Sequence, residues 1–464
     1  MGNSSFSRRD FLQLGTAAAS FHIIPRHALG GPKYVPPSDK VNIAIIGAGG
    51  QGRTNLRRLF EHRDAQVIAL ADPAEYFSLE QFYYGGVGGR KALKQEIEQH
   101  YSATTPNFNC VEYVDFREML EREKQIDAVL CATPDHLHAY VSVLCMKAGK
   151  HVYCEKPLTH NIWEARQVAR VAKETGVATQ MGNQGHSSDI TRDTVELIQD
   201  GAVGPIREVH AWVSSGRWNP KLLSRPTDMP PVPGGLNWDL WLGPREWRPF
   251  HTAYFPVAWR DFWAFGGSNI ADFACHDLTI ACWALDLGAP ESVEFYPVGP
   301  TDEEIAPHGC VGYYEFGPRG NQPPVTIYWY DGGARPRRPE GLPASEELPR
   351  RGQMYVGDKG VILSDRETPR ILPESLNRSY QRPRPTLPRS AGHHRDWLDA
   401  CKGGPAPSSN FEYGARLTEI ALLGTLSLRT GKRIEWDAAN VKARGLPEAD
   451  EFIREPVRSG WELA

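Results

Sequence analysis

Residues 41–52 read Val41-Asn42-Ile43-Ala44-Ile45-Ile46-Gly47-Ala48-Gly49-Gly50-Gln51-Gly52. The first six are apolar and rich in β-branched side chains, the pattern of a parallel strand buried on both faces. The glycines that follow allow a tight turn and a close backbone approach to a ligand. The segment from Arg53 to His62 then reads as a helix, whose N-terminus favours negative charge such as a pyrophosphate. A second strand, Gln66 to Ala71, ends in Asp72, about 20 residues past the glycines, where a carboxylate accepts ribose hydroxyls and repels a 2′-phosphate. Strand, glycine turn, helix and acidic strand end together predict a dinucleotide site built on Gly47, Gly49, Gly50, Gln51, Gly52 and Asp72. Asp72 favours NAD over NADP, although Arg53, just after the glycines, is a residue type that can serve a phosphate.

The alternation continues outward. Ile126 to Ala132 is another buried strand, closing in Thr133-Pro134-Asp135-His136-Leu137-His138, and Ala139 to Lys147 is helical. Lys150 to Cys154 is a further strand and runs into Glu155-Lys156-Pro157. Ligands of open parallel sheets sit beyond the carboxyl ends of the strands, so Thr133, Pro134, His138, Glu155 and Lys156 join the same rim. His136 and His138 lack a carboxylate or cysteine at ligand spacing, and no metal is expected.

Composition narrows the classes. The chain has 464 residues, a net charge of −4, 41% hydrophobic and 23% charged residues, a globular balance long enough for two domains. Without a long basic run, neither nucleic acid nor an anionic membrane is the expected partner. The eight cysteines form no Cys-x-x-Cys pair and read as buried thiols.

The first thirty residues read as an address. Ser7-Arg8-Arg9-Asp10-Phe11-Leu12 followed by a short, mildly apolar run is the arrangement of a twin-arginine (Tat) export signal. Ala28 and Gly30 place small residues at −3 and −1 of a cleavage site after Gly30. Residues 31–39, proline-rich, form a linker or arm, and no segment is apolar for long enough to anchor the mature protein in a bilayer.

The Thr133-Pro134…His138 segment, the Glu155-Lys156-Pro157 tripeptide and Gly266-Gly267-Ser268-Asn269-Ile270-Ala271-Asp272-Phe273-Ala274-Cys275-His276 make the chain similar to the Gfo/Idh/MocA oxidoreductases. The one departure is Ser268, where the family usually carries a third glycine. The resemblance implies an α/β fold: a Rossmann NAD(P)-binding domain at 40–157 and a C-terminal α/β domain at 158–464. The second domain would carry a large, mostly antiparallel open sheet that binds substrate and pairs subunits into a homo-oligomer. Alternating strands at 206–213, 311–316 and 325–330 agree, as does a hairpin at 355–363, with an irregular excursion at 365–389. The resemblance assigns catalysis to Lys156, Asp272 and His276. Trp259 and Arg260, just before the glycine pair, are expected to wall the substrate pocket.

The function expected is an exported NAD(P)-dependent oxidoreductase that moves hydride between a carbohydrate or polyol hydroxyl and a tightly bound nicotinamide cofactor in the periplasm. One alternative uses bound NAD without net redox, in hydrolysis, elimination or epimerisation through a transient keto sugar. A second is a sugar-binding protein without catalysis. Cofactor retention in an exported enzyme calls for more cover than the glycine loop, and residues 31–39 are the expected strap.

Overall fold

The computed structural model describes residues 35–463, apart from 366 and 383. The twin-arginine segment and the arm up to residue 34 lie outside the described residues. Residues 37–39 form a short 3₁₀ turn.

From Val41 the chain builds a six-stranded parallel sheet: β1 (Val41–Ile46), β2 (Ala65–Ala71), β3 (Val111–Tyr113), β4 (Ala128–Cys131), β5 (His151–Glu155) and β6 (Thr179–Gly182), in the order β3-β2-β1-β4-β5-β6. The order reverses beside β1, which places the crevice for a ligand at the glycine turn. Ile43 and Ile45 point to one face and Ala44 and Ile46 to the other, all buried, as an apolar run without alternation requires. Helix α1 (Gly50–Leu59) follows the glycines, and α2 (Asp135–Lys147) follows β4. Helix α3 (Ile162–Thr175) starts at a reciprocal cap between Asn161 and Glu164 and stops at Gly176.

The first domain thus extends beyond the expected boundary at 157. Its sixth strand is only Thr179-Gln180-Met181-Gly182, too short and too polar to announce itself, yet it pairs in parallel with β5.

The second domain is a nine-stranded sheet. Its strands are β7 (Ile206–Val213), β8 (Ser292–Val298), β9 (Gly309–Phe316), β10 (Val325–Tyr330), β11 (Arg351–Gly357), β12 (Val361–Ser364), β13 (Arg370–Leu372), β14 (Ile434–Asp437) and β15 (Lys442–Ala443). They lie in the order β13-β12-β11-β7-β10-β9-β8-β14-β15, antiparallel except for β7 beside β10. β11 and β12 form the expected hairpin, Val356 facing Val361. The stretch 365–389 is not wholly irregular, since it supplies β13 and a short helix, Glu374–Ser379.

Two helices join sheet and site. α4 (Ser268–Asp277) carries Asp272 and His276, and it packs against α5 (Phe411–Thr430), a twenty-residue helix capped by Asn410 and buried on nearly every side. Among the described residues no helix is long and apolar enough to cross a membrane. All eight cysteines are free thiols, seven of them buried and Cys401 partly so.

Candidate active site

The carboxyl ends of β1, β2, β4 and β5 open into a cavity of about 490 Å³ that the second domain closes from the other side. At its centre Gly47 has a φ of +96°, and a Cβ there would lie 2.5 Å from the Ala132 carbonyl oxygen; a Cβ on Gly52 would run into the Gly47 carbonyl. Only glycine permits this turn, and its open backbone fits a pyrophosphate at the start of α1.

Asp72 lines the cavity as expected and has a second task. Its carboxylate accepts N–H groups from Ala48 (2.7 Å) and Ala74 (2.8 Å), so it also holds the glycine turn to the end of β2. Burial pushes its carboxyl up to about 6, against the pull of those two N–H groups. Arg53 is held elsewhere, its Nε donating to Glu96 at 2.8 Å, and it does not line the cavity. That leaves the acidic strand end to face a ribose and suits NAD better than NADP.

Thr133, Pro134, His138, Glu155 and Lys156 gather at the neighbouring strand ends, where all five line the cavity. His138 acts between the turns: its ring nitrogens face the carbonyls of Pro157 (2.6 Å) and Thr133 (2.9 Å). With Cys131 and Cys154 it forms a buried trio whose donor atoms lie within 4.8 Å of one another, but its nitrogens are already engaged and the trio packs the strand ends. Glu155 accepts from Asn55 (2.8 Å), Gln184 (2.9 Å) and Gln51 (3.4 Å), so it ties α1 to β5 and positions the rim.

Lys156 reaches across to α4. Its ammonium donates to the Asp272 carboxylate and to the Asp272 carbonyl at 3.0 Å. Burial would lower its pKa, but the Asp272 charge prevails and raises it, so Lys156 stays an ammonium ion at neutral pH. For Asp272, burial works toward protonation, yet Lys156, Arg260 and His276 together hold the carboxyl well below the usual range. Arg260 Nε lies 3.5 Å from the same carboxylate, with its guanidinium 4.1 Å over the Trp259 ring. His276, one turn beyond Asp272, lines the cavity. The structure therefore brings Lys156, Asp272, His276, Trp259 and Arg260 to one wall beside the β4 and β5 ends.

Several lining residues escaped the sequence reading. Tyr84 lies where a Cβ on Gly50 would point, and Phe77 covers Gly49, so residues 73–89 fold over the glycine turn. The cluster Gly85-Gly86-Val87-Gly88-Gly89 was the available signal for such an excursion. Asp135, directly after Thr133-Pro134, is buried in the cavity wall, and burial pushes its carboxyl up to about 8 despite Arg260. Arg351, at the start of β11, lines the cavity and pairs with Asp277 at 2.6 and 2.8 Å. No local pattern marks it.

The model of the oxidoreductase family with an NAD-binding Rossmann fold, Gfo/Idh/MocA, matches residues 41–183, and the model of the same family's C-terminal α/β domain matches 194–296. The chain belongs to this family. A 1,5-anhydro-D-fructose reductase of Ensifer adhaerens is 30% identical over 203 residues, 43% of this chain and 50% of that one. An inositol 2-dehydrogenase of Rubrobacter xylanophilus is 26% identical over 189 residues, 40% and 48% of the two chains. A 2,7-anhydro-N-acetylneuraminate hydratase of Mediterraneibacter gnavus is 25% identical over 171 residues, 37% and 39%. The match thus spans half or less of these curated relatives. Among solved structures, the WlbA dehydrogenase of Bordetella pertussis, in complex with NADH and UDP-GlcNAcA, superposes with a TM-score of 0.56 at 18% identity, covering 86% of this chain and 99% of that one. The aldose-aldose oxidoreductase of Caulobacter crescentus gives 0.56 at 17%, covering 86% and 100%. These two likenesses establish the fold that this family member shares.

Proposed function

We propose that the protein is an exported NAD-dependent oxidoreductase acting on a carbohydrate or polyol hydroxyl, with its cofactor tightly held. The observation that carries this reading is the Lys156–Asp272 pair beside His276, set where the β4 and β5 ends meet the second domain. Bound NAD supplies the hydride acceptor. Lys156, kept charged by Asp272, donates a hydrogen bond to the substrate oxygen and stabilises negative charge as it develops there. His276 takes the hydroxyl proton, a task suited to an imidazole near neutral pH. Asp272 holds Lys156 in place, and the Trp259 ring, with the Arg260 guanidinium stacked over one face, walls the pocket for a sugar. The anhydrofructose reductase and inositol dehydrogenase named among the relatives support a polyhydroxylated substrate. Export through the twin-arginine route rests on Arg8 and Arg9, and pairing of subunits into a homo-oligomer rests on the family's sheet.

The test is mass spectrometry of nucleotide released from the purified protein, joined to a screen of sugars and polyols followed at the nicotinamide absorbance. NAD released in near-stoichiometric amount, and an absorbance change with at least one sugar, support the reading. Product formation with no net absorbance change would move the protein to the transient-oxidation chemistry instead. Arg8→Lys with Arg9→Lys should leave the protein inside the cell.

A further inference from the structure

After the short helix Asp450–Ile453 the chain turns back onto the first domain. This return is fastened along its length. The Glu455 carboxylate is buried against Arg245, Arg429 and His160. The Arg458 guanidinium donates to the Gly243 carbonyl at 2.8 Å and to Asp239, and its backbone N–H donates to the Pro244 carbonyl at 3.0 Å. Three residues on, Trp461 is 8% exposed, with the Arg117 guanidinium 4.6 Å over its ring and Phe116 and Tyr140 at 6.4 and 6.1 Å. Its ring lines the cavity with Val114, Phe116, Leu137 and Leu240.

The end of the cavity at which this happens is fixed by the sheet. A dinucleotide crosses the strand ends with its pyrophosphate at the glycine turn. Lys156 and Thr133 stand at the β4 and β5 side, where the reacting ring must lie to meet α4. Asp72 and Val114 stand at the β2 and β3 side, which leaves that side for the adenosine half. An indole among four apolar side chains there presents a surface suited to a purine base.

We propose that Trp461 is a cofactor-binding residue that closes the adenosine end, and that residues 454–463 are the strap that slows cofactor release. This rests on the reading above that NAD is held tightly in this cavity. The strap belongs to the far end of the chain and reaches the first domain only through folding.

The experiment compares wild type, Trp461→Ala, Trp461→Phe and Arg458→Ala as full chains. Release of NADH is followed by its fluorescence after dilution, and affinities for ADP-ribose and nicotinamide mononucleotide are measured separately. Trp461→Ala should speed NADH release and weaken ADP-ribose by about tenfold or more, the scale of base–aromatic stacking, while nicotinamide mononucleotide binds as before. Trp461→Phe should retain most of the affinity, and Arg458→Ala should speed release with the ring still present. If Trp461→Ala does not fold, the last two variants decide. Release at the wild-type rate in the folded variants, or equal weakening of both half-ligands, would overturn the strap. A wild-type protein that binds no NADH at all would overturn the functional reading as well, which sets that failure apart.

Discussion

Asp272 faces three basic side chains, Lys156, Arg260 and His276, whose charges hold its carboxyl well below the usual range. In the mechanism proposed above, Lys156, kept charged by Asp272, is the donor and His276 is the base. Lys156→Ala and His276→Ala should each lower turnover about 10²- to 10⁴-fold, with NADH affinity changed only slightly; steady-state rates beside fluorescence titrations check this, and near-wild-type turnover in both would remove them from the mechanism. Asp135 makes a different prediction. Its carboxyl is raised from 3.8 to about 8, so the folded state holds a proton that the unfolded chain releases at lower pH. Stability contributed by this group is therefore full below about pH 4 and falls as pH rises toward 8. Asn imitates the protonated acid, so Asp135→Asn should gain on the nucleotide-free wild type by at least about 2 °C in Tm at pH 8.5, with the gap closing at pH 5; melting curves across pH decide. Lys156 was legible because it ends a strand within a recognisable tripeptide. Arg351 was not, since its meeting with Asp277 depends on how a sheet seats against a helix 74 residues earlier in the chain.

Elements show the same division. β1 and β2 could be read from the sequence because burial on both faces leaves largely apolar runs, and α1 because the glycine turn announces its start. β6 could not, because four mixed residues carry no period and only the neighbouring β5 makes them a strand. The helix holding Asp272 and His276 was also legible, but its first residue conceals a strain. Ser268 has a φ of +66°, left-handed backbone that costs a side-chain-bearing residue, and its buried Oγ has no hydrogen-bond partner among the described residues. Ser268→Gly should therefore stabilise the protein by about 1 kcal/mol, less what glycine gives back through a freer unfolded chain. A denaturant midpoint that moves down would show that Ser268 makes some compensating contact.

At the scale of the whole molecule, two domains were foreseeable from length and motif, whereas the chain's returns across them were not. The helix His393–Cys401 packs Trp397 and Leu398 into the first domain's core, and Trp461 reaches the same domain from still farther along the chain. Periodicity tells which face of an element is apolar and says nothing about which distant surface it covers. The sealed thiols give this architecture a set of clocks. Burial pushes Cys110, Cys275 and Cys282 up to about 12, so in the closed protein they remain protonated and unreactive. An alkylating reagent can then mark each site only when its surroundings breathe open, and the rate of marking reports how often they do. Cys145 and Cys154 time the nucleotide-binding half, while Cys275, Cys282 and Cys310 time the other. Pulse alkylation followed by peptide mass spectrometry should tag Cys401 first and the strand thiols last. Added NADH should slow Cys154 more than Cys310. Equal protection of both halves would mean that the two domains open as a single cooperative body, with the nucleotide acting as a bolt on the whole chain.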